Sequence, residues 1–333
     1  MSFAMRDYYI FKSGRIKKQD NSIIFEYTED DVGKKIPIPI KDIDSIYLFG
    51  EIDINNKLIT FLSQNNIMLH FFNYYGFYTG TFYPKEFLLS GDLLVKQVLH
   101  YYSKKKRIIL AKEFVLGAIY GAILNLKRYK EKTDNEIGEL QRLAKSIEDQ
   151  HSISMIMGVE GNAKEIYYNA FPKIINQKIE FNKRVKNPPD NMMNALISFT
   201  NSLVYSAVLK EIYKTQLNPT IAYLHEPSTR RFSLSLDISE IFKPIFGDRL
   251  IFSLLNDGVL KQSHFDKNLN FAYLKEDGRK IVVKAFEDKL NTTFHHKGLG
   301  RIISYRKLIR LELYKLIKHL MNEENYRSLN FWW

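Results

Sequence analysis

The sequence predicts an α+β protein in which a small N-terminal β-rich, sandwich-like domain precedes a larger, mainly α-helical domain. The 333 residues exceed the roughly 100–200 that one domain usually contains. Period-two hydrophobic patterns fill the first part of the chain, and longer patterns with a helical period follow. Residues 1–89 carry a net charge of −1, whereas residues 90–333 carry a net charge of +13. We therefore place the domain boundary between residues 89 and 90.

The segment from Tyr8 to Tyr83 has the pattern of several short strands. In the stretch KKIPIPIKD the isoleucines alternate with Pro37 and Pro39, which predicts an edge strand because proline cannot donate a ladder hydrogen bond. Further strands are expected around Gly76 and Gly80. Short strands at regular spacing are typical of an antiparallel sandwich. The many aromatic side chains are expected in the core and in a dimer surface, since this segment has no basic excess.

Helical patterns dominate from residue 90 onward. They predict helices over residues 92–132 with breaks, 135–157, 163–171, a long apolar helix after Asp190 as N-cap, and further helices over 237–256 and 301–322. The turn Asp277-Gly278 between alternating runs predicts a small hairpin. The longest strongly apolar run, Phe114 to Leu126, is shorter than the roughly 20 residues that span a bilayer.

Composition limits the possible functions. The chain has no cysteine, which excludes disulfides and thiolate metal sites and fits a reducing cytoplasm, the expected location. The net charge of +12 favours a polyanionic partner, and nucleic acid is preferred to a membrane surface. The second methionine, Met5, suggests that Met1 to Ala4 are an added leader.

Several basic residues are candidates for contacts with DNA phosphates. Each could equally lie on a solvated face or in a salt bridge, because charge alone does not distinguish these roles. The candidates are Lys104, Lys105, Lys106, Arg107, Arg230, Arg231, Arg249, Arg301 and Arg306.

The stretch MGVEGNAKEIYYNAF places Glu160 between Gly158 and Gly161. One interpretation is a helix that ends at a C-cap glycine, with the glutamate solvated in the turn. The other is a carboxylate that a ligand can approach closely, because glycine has no side chain.

A second stretch, YLHEPSTRRFSLSLDISEIFKP, contains His225 in a loop, followed by Asp237 and Glu240 one helical turn apart. The acidic pair could simply be a capping box at a helix start. Together with Glu160, however, two carboxylates and an imidazole suit Mg²⁺ or Mn²⁺ with open positions for phosphate oxygens.

These stretches resemble the CRISPR-associated Cas1 family of spacer-acquisition integrases. The matching pieces are GVEGNAKEIYYNAF, NPPDNMMNALISFTNSLVY, YLHEPSTRRFSLSLDISEIFKPIFGDRL and GRIISYRKLIRLE, in the family's order. The resemblance implies that Glu160, His225 and Glu240 are the catalytic metal ligands, with Asp237 beside the site. Lys243 departs from the family's usual arginine, which keeps the charge but loses the bidentate fork.

The resemblance further implies a metal-dependent DNA endonuclease and integrase. The 3′-hydroxyl of a short DNA fragment would attack a phosphodiester of a CRISPR array with the help of Mg²⁺ or Mn²⁺. It also implies a homodimer built largely through the N-terminal domains, which joins the small Cas2 protein on double-stranded DNA. A role of His225 as a general base, in place of a metal ligand, remains an alternative. The alternative is a non-catalytic DNA-binding assembly subunit, whereas a two-carboxylate sugar hydrolase would leave the basic excess unexplained.

Overall fold

The computed structural model describes residues 5–186, 188–227, 232–268 and 271–329. The chain divides into two compact units, Met1–Phe87 and Leu88–Trp333. Strands dominate the first unit and helices the second, which confirms the predicted fold class. The predictions that concern Met1 to Ala4, Arg230 and Arg231 fall outside the described residues, as does the C-terminal Phe331–Trp333.

The first unit contains eight strands and one α-helix in the described region. They are β1 (Arg6–Ile10), β2 (Gly14–Gln19), β3 (Ser22–Glu29), β4 (Val32–Pro39), β5 (Ile43–Leu48), β6 (Ile52–Asp53), α1 (Asn56–Gln64), β7 (Met68–Phe72) and β8 (Tyr78–Phe82). They form two four-stranded sheets, with the orders β1-β5-β7-β8 and β4-β3-β2-β6. Both sheets and α1 contribute to one hydrophobic core.

The expected antiparallel pairing holds for β2 with β3, β3 with β4 and β7 with β8, but not for every pair. Strand β5 pairs in parallel with β1 and β7, and β2 pairs in parallel with β6. Parallel pairing needs a crossover, and the connection from β5 to β7 contains α1, a helix that the period-two pattern did not predict. The side chain of Asn55 caps α1, and Leu58, Phe61 and Leu62 bury one face of it. Strand β4 lies at a sheet edge, as Pro37 and Pro39 indicated.

The second unit is built from ten helices and two short hairpins in its described part. The helices are α2 (Gly91–Tyr102), α3 (Lys104–Leu126), α4 (Lys130–Ser146), α5 (Ile153–Asn169), α6 (Phe171–Ile174), α7 (Met192–Tyr213), α8 (Ser233–Phe242), α9 (Arg249–Asn256), α10 (Glu276–Asn291) and α11 (Tyr305–Leu320). The strands are β9 (Phe265–Asn268), β10 (Phe271–Leu274), β11 (Thr293–His296) and β12 (Arg301–Ser304).

The long apolar helix α7 is the core of this unit. By length and composition it could span a membrane, but 72% of its most apolar window is buried within the protein. Its N-cap is Asn191, whose side chain accepts a hydrogen bond from the backbone N–H of Asn194, and not Asp190 as predicted. Asp190 accepts instead from the side-chain amide of Asn194, at 2.7 Å.

Several predicted helix boundaries were wrong, because capping residues inside the segments were overlooked. The break expected within 92–132 lies at Ser103, which caps α3. The helix expected over 135–157 is interrupted before α5, where the side chain of Ser152 accepts from the backbone N–H of Met155. The helix expected from Arg301 begins only at Tyr305, since residues 301–304 form β12.

Two further predictions fail near the end of the chain. The helix expected over 237–256 begins earlier, at Ser233, and contains a π-helical turn over Lys243–Asp248, which accommodates Pro244. The hairpin turn expected at Asp277-Gly278 is the first turn of α10, where acidic residues favourably meet the helix dipole. A glycine is required there because a Cβ atom would lie 2.9 Å from a backbone oxygen.

Candidate active site

Glu160 lies in the middle of α5 and not in a turn. The C-cap interpretation of its two glycines is therefore wrong. A Cβ atom added at Gly158 or Gly161 would meet no heavy atom within 4 Å, so the helix surface beside Glu160 is open. An open surface of this kind permits close approach of a ligand backbone.

Asp237 is fully buried in α8 and organises the loop that carries His225. Its carboxylate accepts hydrogen bonds from the backbone N–H groups of Tyr223 at 2.6 Å, Leu224 at 2.9 Å and His225 at 3.0 Å. It also bonds the Nδ1 of His225 at 2.8 Å. The capping-box interpretation is thus wrong, because α8 begins four residues before Asp237 and the carboxylate serves another segment. This bond leaves Nε2 of His225 as the ring nitrogen able to bind a metal or take a proton.

The same loop is held from a second side by α2 and α3. The Nε of Arg107 donates to the carbonyl of Tyr223 at 2.8 Å, and its Nη2 pairs with Glu226 at 2.7 Å. The hydroxyl of Tyr101 donates to the other oxygen of Glu226 at 2.7 Å. Arg107 was a candidate DNA contact, but its described partners make it a support for the His225 loop.

Lys164 links the two candidate carboxylates. Its ammonium group forms ion pairs with Glu160, four residues earlier on α5, and with Glu240 on α8 at 2.9 Å. Lys243 pairs with the other oxygen of Glu240 at 2.5 Å. Glu240 is 5% exposed, so its charge is compensated inside the protein by two lysines. Lys164 was not among the predicted site residues, although its i, i+4 spacing from Glu160 was a readable signal.

These charges shift the local pKa values in consistent directions. Burial alone would raise the pKa of Glu240, but Lys164 and Lys243 outweigh it and hold the pKa well below its usual range. Burial opposes the charged form of Lys164, yet Glu240 and Glu160 raise its pKa. For His225, burial lowers the pKa, but the bond to Asp237 and the nearby carboxylates raise it overall.

All three predicted ligands line one open cavity of about 610 Å³. Glu160, His225 and Glu240 share it with five basic side chains, Lys164, Lys183, Arg184, Lys186 and Lys243. Within the described ranges no set of three His, Asp or Glu side chains is already placed around a common ion position. The donor chemistry nevertheless fits a divalent cation, because carboxylate oxygens and an imidazole nitrogen are its usual ligands and both carboxylates already share one cationic group, the ammonium of Lys164.

The other basic candidates have diverse environments. Lys104, Lys105 and Lys106 are exposed at the start of α3, and Arg301 is exposed on β12. Arg306 pairs with Glu287 at 2.8 Å. Arg249 is half-buried at the start of α9.

An open cavity with carboxylates, an imidazole and an excess of cations is typical of enzymes that act on phosphate esters. The family model described as CRISPR associated protein Cas1 matches residues 8–288. A relative from Fusobacterium nucleatum subsp. nucleatum, named CRISPR-associated endonuclease Cas1, is 50% identical over 331 residues, covering 98% of this chain and 97% of its own. The chain belongs to the Cas1 family.

Solved structures agree with this assignment. A Cas1 protein from Thermotoga maritima is 40% identical and has a TM-score of 0.88. The match covers 98% of this chain and 100% of the Thermotoga chain. A casposase bound to its integration product shares the fold, with 20% identity, a TM-score of 0.88 and 93% of its chain covered. So does a chain of a Cas6-RT-Cas1–Cas2 complex, with 17% identity, a TM-score of 0.83 and 36% of that chain covered. Each of these two matches covers 98% of the present chain.

Proposed function

We propose that this protein cleaves and joins DNA in CRISPR adaptation, inserting short DNA fragments into a CRISPR array with a divalent metal ion. The observation that carries the proposal is the shared cavity of Glu160, His225 and Glu240, with Lys164 between the two carboxylates. The casposase, which was solved with its integration product, supports the strand-transfer chemistry. The relatives that are named endonucleases support the nuclease chemistry.

In this proposal Glu160, Glu240 and the Nε2 of His225 would hold Mg²⁺ or Mn²⁺. When bound, the ion would polarise the phosphodiester and stabilise charge on its oxygens. The protein's own residues orient the reactants: Asp237 fixes the tautomer of His225, and Lys243 keeps Glu240 ionised. The lysines around the cavity would neutralise the DNA backbone. An alternative role for His225 is to take the proton of the attacking hydroxyl.

The proposed partners follow from the family. They are double-stranded DNA, a second copy of this chain bound largely through the N-terminal unit, and a Cas2-type protein. The Cas6-RT-Cas1–Cas2 complex, in which a chain of this fold occurs together with Cas2, supports the last of these. The proposed location is the cytoplasm, where array DNA would be accessible.

A strand-transfer assay tests the proposal. A short duplex with free 3′-hydroxyls would be incubated with array DNA, the protein and its Cas2-type partner, with Mn²⁺, Mg²⁺ or a chelator. We expect metal-dependent joined product with the wild type and a loss of about 100-fold or more in Glu160→Ala, His225→Ala and Glu240→Ala, the scale of losing a charge-stabilising group. Glu165→Ala is the matched control, because Glu165 lines the same cavity outside the assigned set.

Two outcomes would reject the proposal in different ways. Full activity in the three variants would show that the assigned residues are not the catalytic ones. DNA binding without any metal-dependent product, in the wild type and in all variants, would identify the chain as a non-catalytic assembly subunit.

A further inference from the structure

Three positively charged side chains lie near one another away from the catalytic cavity: the helices α9 and α10, which carry two of them, pack together, and the third acts electrostatically on both. Arg128 follows the end of α3, Arg249 begins α9, and Lys289 lies in the last turn of α10. None of them lines the cavity that holds Glu160 and Glu240. We call this group the Arg128 cluster.

The Arg128 cluster has no compensating acid among the described residues. Salt bridges satisfy many of the other basic groups, but none joins these three to a carboxylate within the described ranges. Burial and the neighbouring charges of Arg249 and Arg128 lower the pKa of Lys289 to about 8. Burial and Arg128 also lower the pKa of Arg249. Arg249 and Lys289 are thus half-buried and close to further positive charge, where screening by water is weak, whereas Arg128 is exposed.

Two of the three members have defined contacts. The Nε of Arg249 donates to Asn125 at 2.9 Å, while its buried Nη2 has no hydrogen-bond partner among the described residues. The ammonium of Lys289 lies 4.2 Å from the centre of the Tyr305 ring. A buried guanidinium nitrogen without a partner costs free energy unless a ligand supplies an acceptor. An anion would supply the acceptor that this nitrogen lacks.

We propose that the Arg128 cluster is a second anion site, which holds a backbone phosphate of bound DNA outside the catalytic cavity. A phosphate offers several acceptor oxygens and at least one negative charge, which matches two guanidinium groups and an ammonium group. The choice of DNA over a free anion rests on the proposed function and on the basic excess of this part of the chain. The side chain of Asn125 hydrogen-bonds both Arg249 and Tyr167. Tyr167 in turn lines a pocket together with Glu160 and Glu240, so buried side chains connect the two sites.

The first test measures DNA binding without divalent metal. The anisotropy of a short fluorescent duplex would be recorded in chelator over about 50–200 mM salt. Lys289→Met should weaken binding about tenfold and lower the slope of log K against log salt by about 0.9, the effect of one phosphate contact. Lys284→Met is the matched control, because Lys284 is an exposed lysine on the same helix, and it should change binding less than about twofold. Equal effects of the two substitutions would overturn the proposal.

Stability separates a ligand site from a structural role. Removing one of three repelling charges should leave the thermal midpoint of Lys289→Met unchanged or raised. A lowered midpoint together with lost binding would mean that Lys289 supports the fold, which would overturn the assignment.

Chemical labelling distinguishes DNA from a free anion. At pH 8, acetic anhydride followed by mass spectrometry should modify Lys289 faster than Lys284, and the duplex should protect Lys289. Protection by inorganic phosphate but not by the duplex would overturn the DNA assignment, and so would no protection by either.

The outcome is independent of catalysis. Lys289→Met should cause the same fold loss of duplex binding in the Glu160→Ala background as in the wild-type background. If the wild type joins DNA while Lys289→Met binds normally, only this inference fails. If Lys289→Met loses binding while the wild type shows no metal-dependent joining, only the proposed function fails.

Discussion

The substitution Asp237→Asn tests how the candidate site is held together. In the wild type one oxygen of Asp237 accepts from the backbone N–H groups of Tyr223 and Leu224, and the other accepts from the backbone and Nδ1 of His225. Asparagine keeps the shape but replaces one oxygen by an NH₂ group. Two of the four donors would then face another donor in a fully buried position.

The magnitude follows from the number of lost bonds. A hydrogen bond to a charged acceptor is worth about 1.5–3 kcal/mol, so two lost bonds predict a destabilisation of about 3–6 kcal/mol. This is a large share of the roughly 5–15 kcal/mol that separates folded from unfolded domains. Asp257→Asn is the matched control, because Asp257 is exposed at the end of α9, and its effect should stay within about 0.5 kcal/mol.

The effect of Asp237→Asn should also depend on pH. Asp237 helps to raise the pKa of folded His225, against the opposing effect of burial. A raised histidine pKa contributes stability that is complete below the unfolded value of about 6.5 and is lost as pH rises through the higher folded value. Urea unfolding at pH 5.5 and pH 8.5 should therefore show a larger loss at the lower pH. A loss below about 1 kcal/mol at both pH values would refute this account of the His225 loop.

Two other substitutions probe the charges behind the site. Lys164→Met should destabilise the metal-free protein by about 3–5 kcal/mol, because Glu160 and Glu240 lose their shared cation. Mn²⁺ should then raise the thermal midpoint more in this variant than in the wild type, and an equal rise would contradict the idea that Lys164 stands in a cation position. Burial raises the pKa of Asp248 to about 7. The folded protein therefore holds a proton that the unfolded chain loses near pH 4, and wild-type stability should decrease as the pH rises from about 4 to about 7. Asp248→Asn should remove up to about 4 kcal/mol of this pH dependence, and parallel curves for both proteins would exclude Asp248 as its source.

The order of domains was predictable because hydrophobic period and charge both change near one point in the chain. The alternation of Pro37 and Pro39 with isoleucines located an edge strand for the same local reason. Parallel pairing of β5 with β7 was not predictable in this way, since it depends on a crossover and not on local pattern.

The candidate ligands were likewise predictable only as separate motifs. Glu160 and Glu240 were chosen by residue type and resemblance, but both were assigned to helix ends and lie inside helices. The role of Asp237 needs a contact across 12 residues of sequence to His225. Such a contact arises when the chain folds back, so the local pattern suggested a capping box instead.

Under the proposed function, the charges around the cavity predict that DNA binds there before any metal ion. Five basic side chains and three carboxylates, of Glu160, Glu165 and Glu240, line it. Burial and the nearby Lys164 and Lys243 lower the pKa of Lys186, which indicates that positive charge is in excess at this wall. A phosphodiester reduces that excess, whereas a divalent cation alone increases it and must also displace Lys164 from the two carboxylates. Phosphate and cation should therefore favour each other's binding. The phosphate offsets the charge that the cation adds, and it also gives the released Lys164 a new anionic partner. Metal affinity should accordingly be higher in the DNA complex than in the free protein.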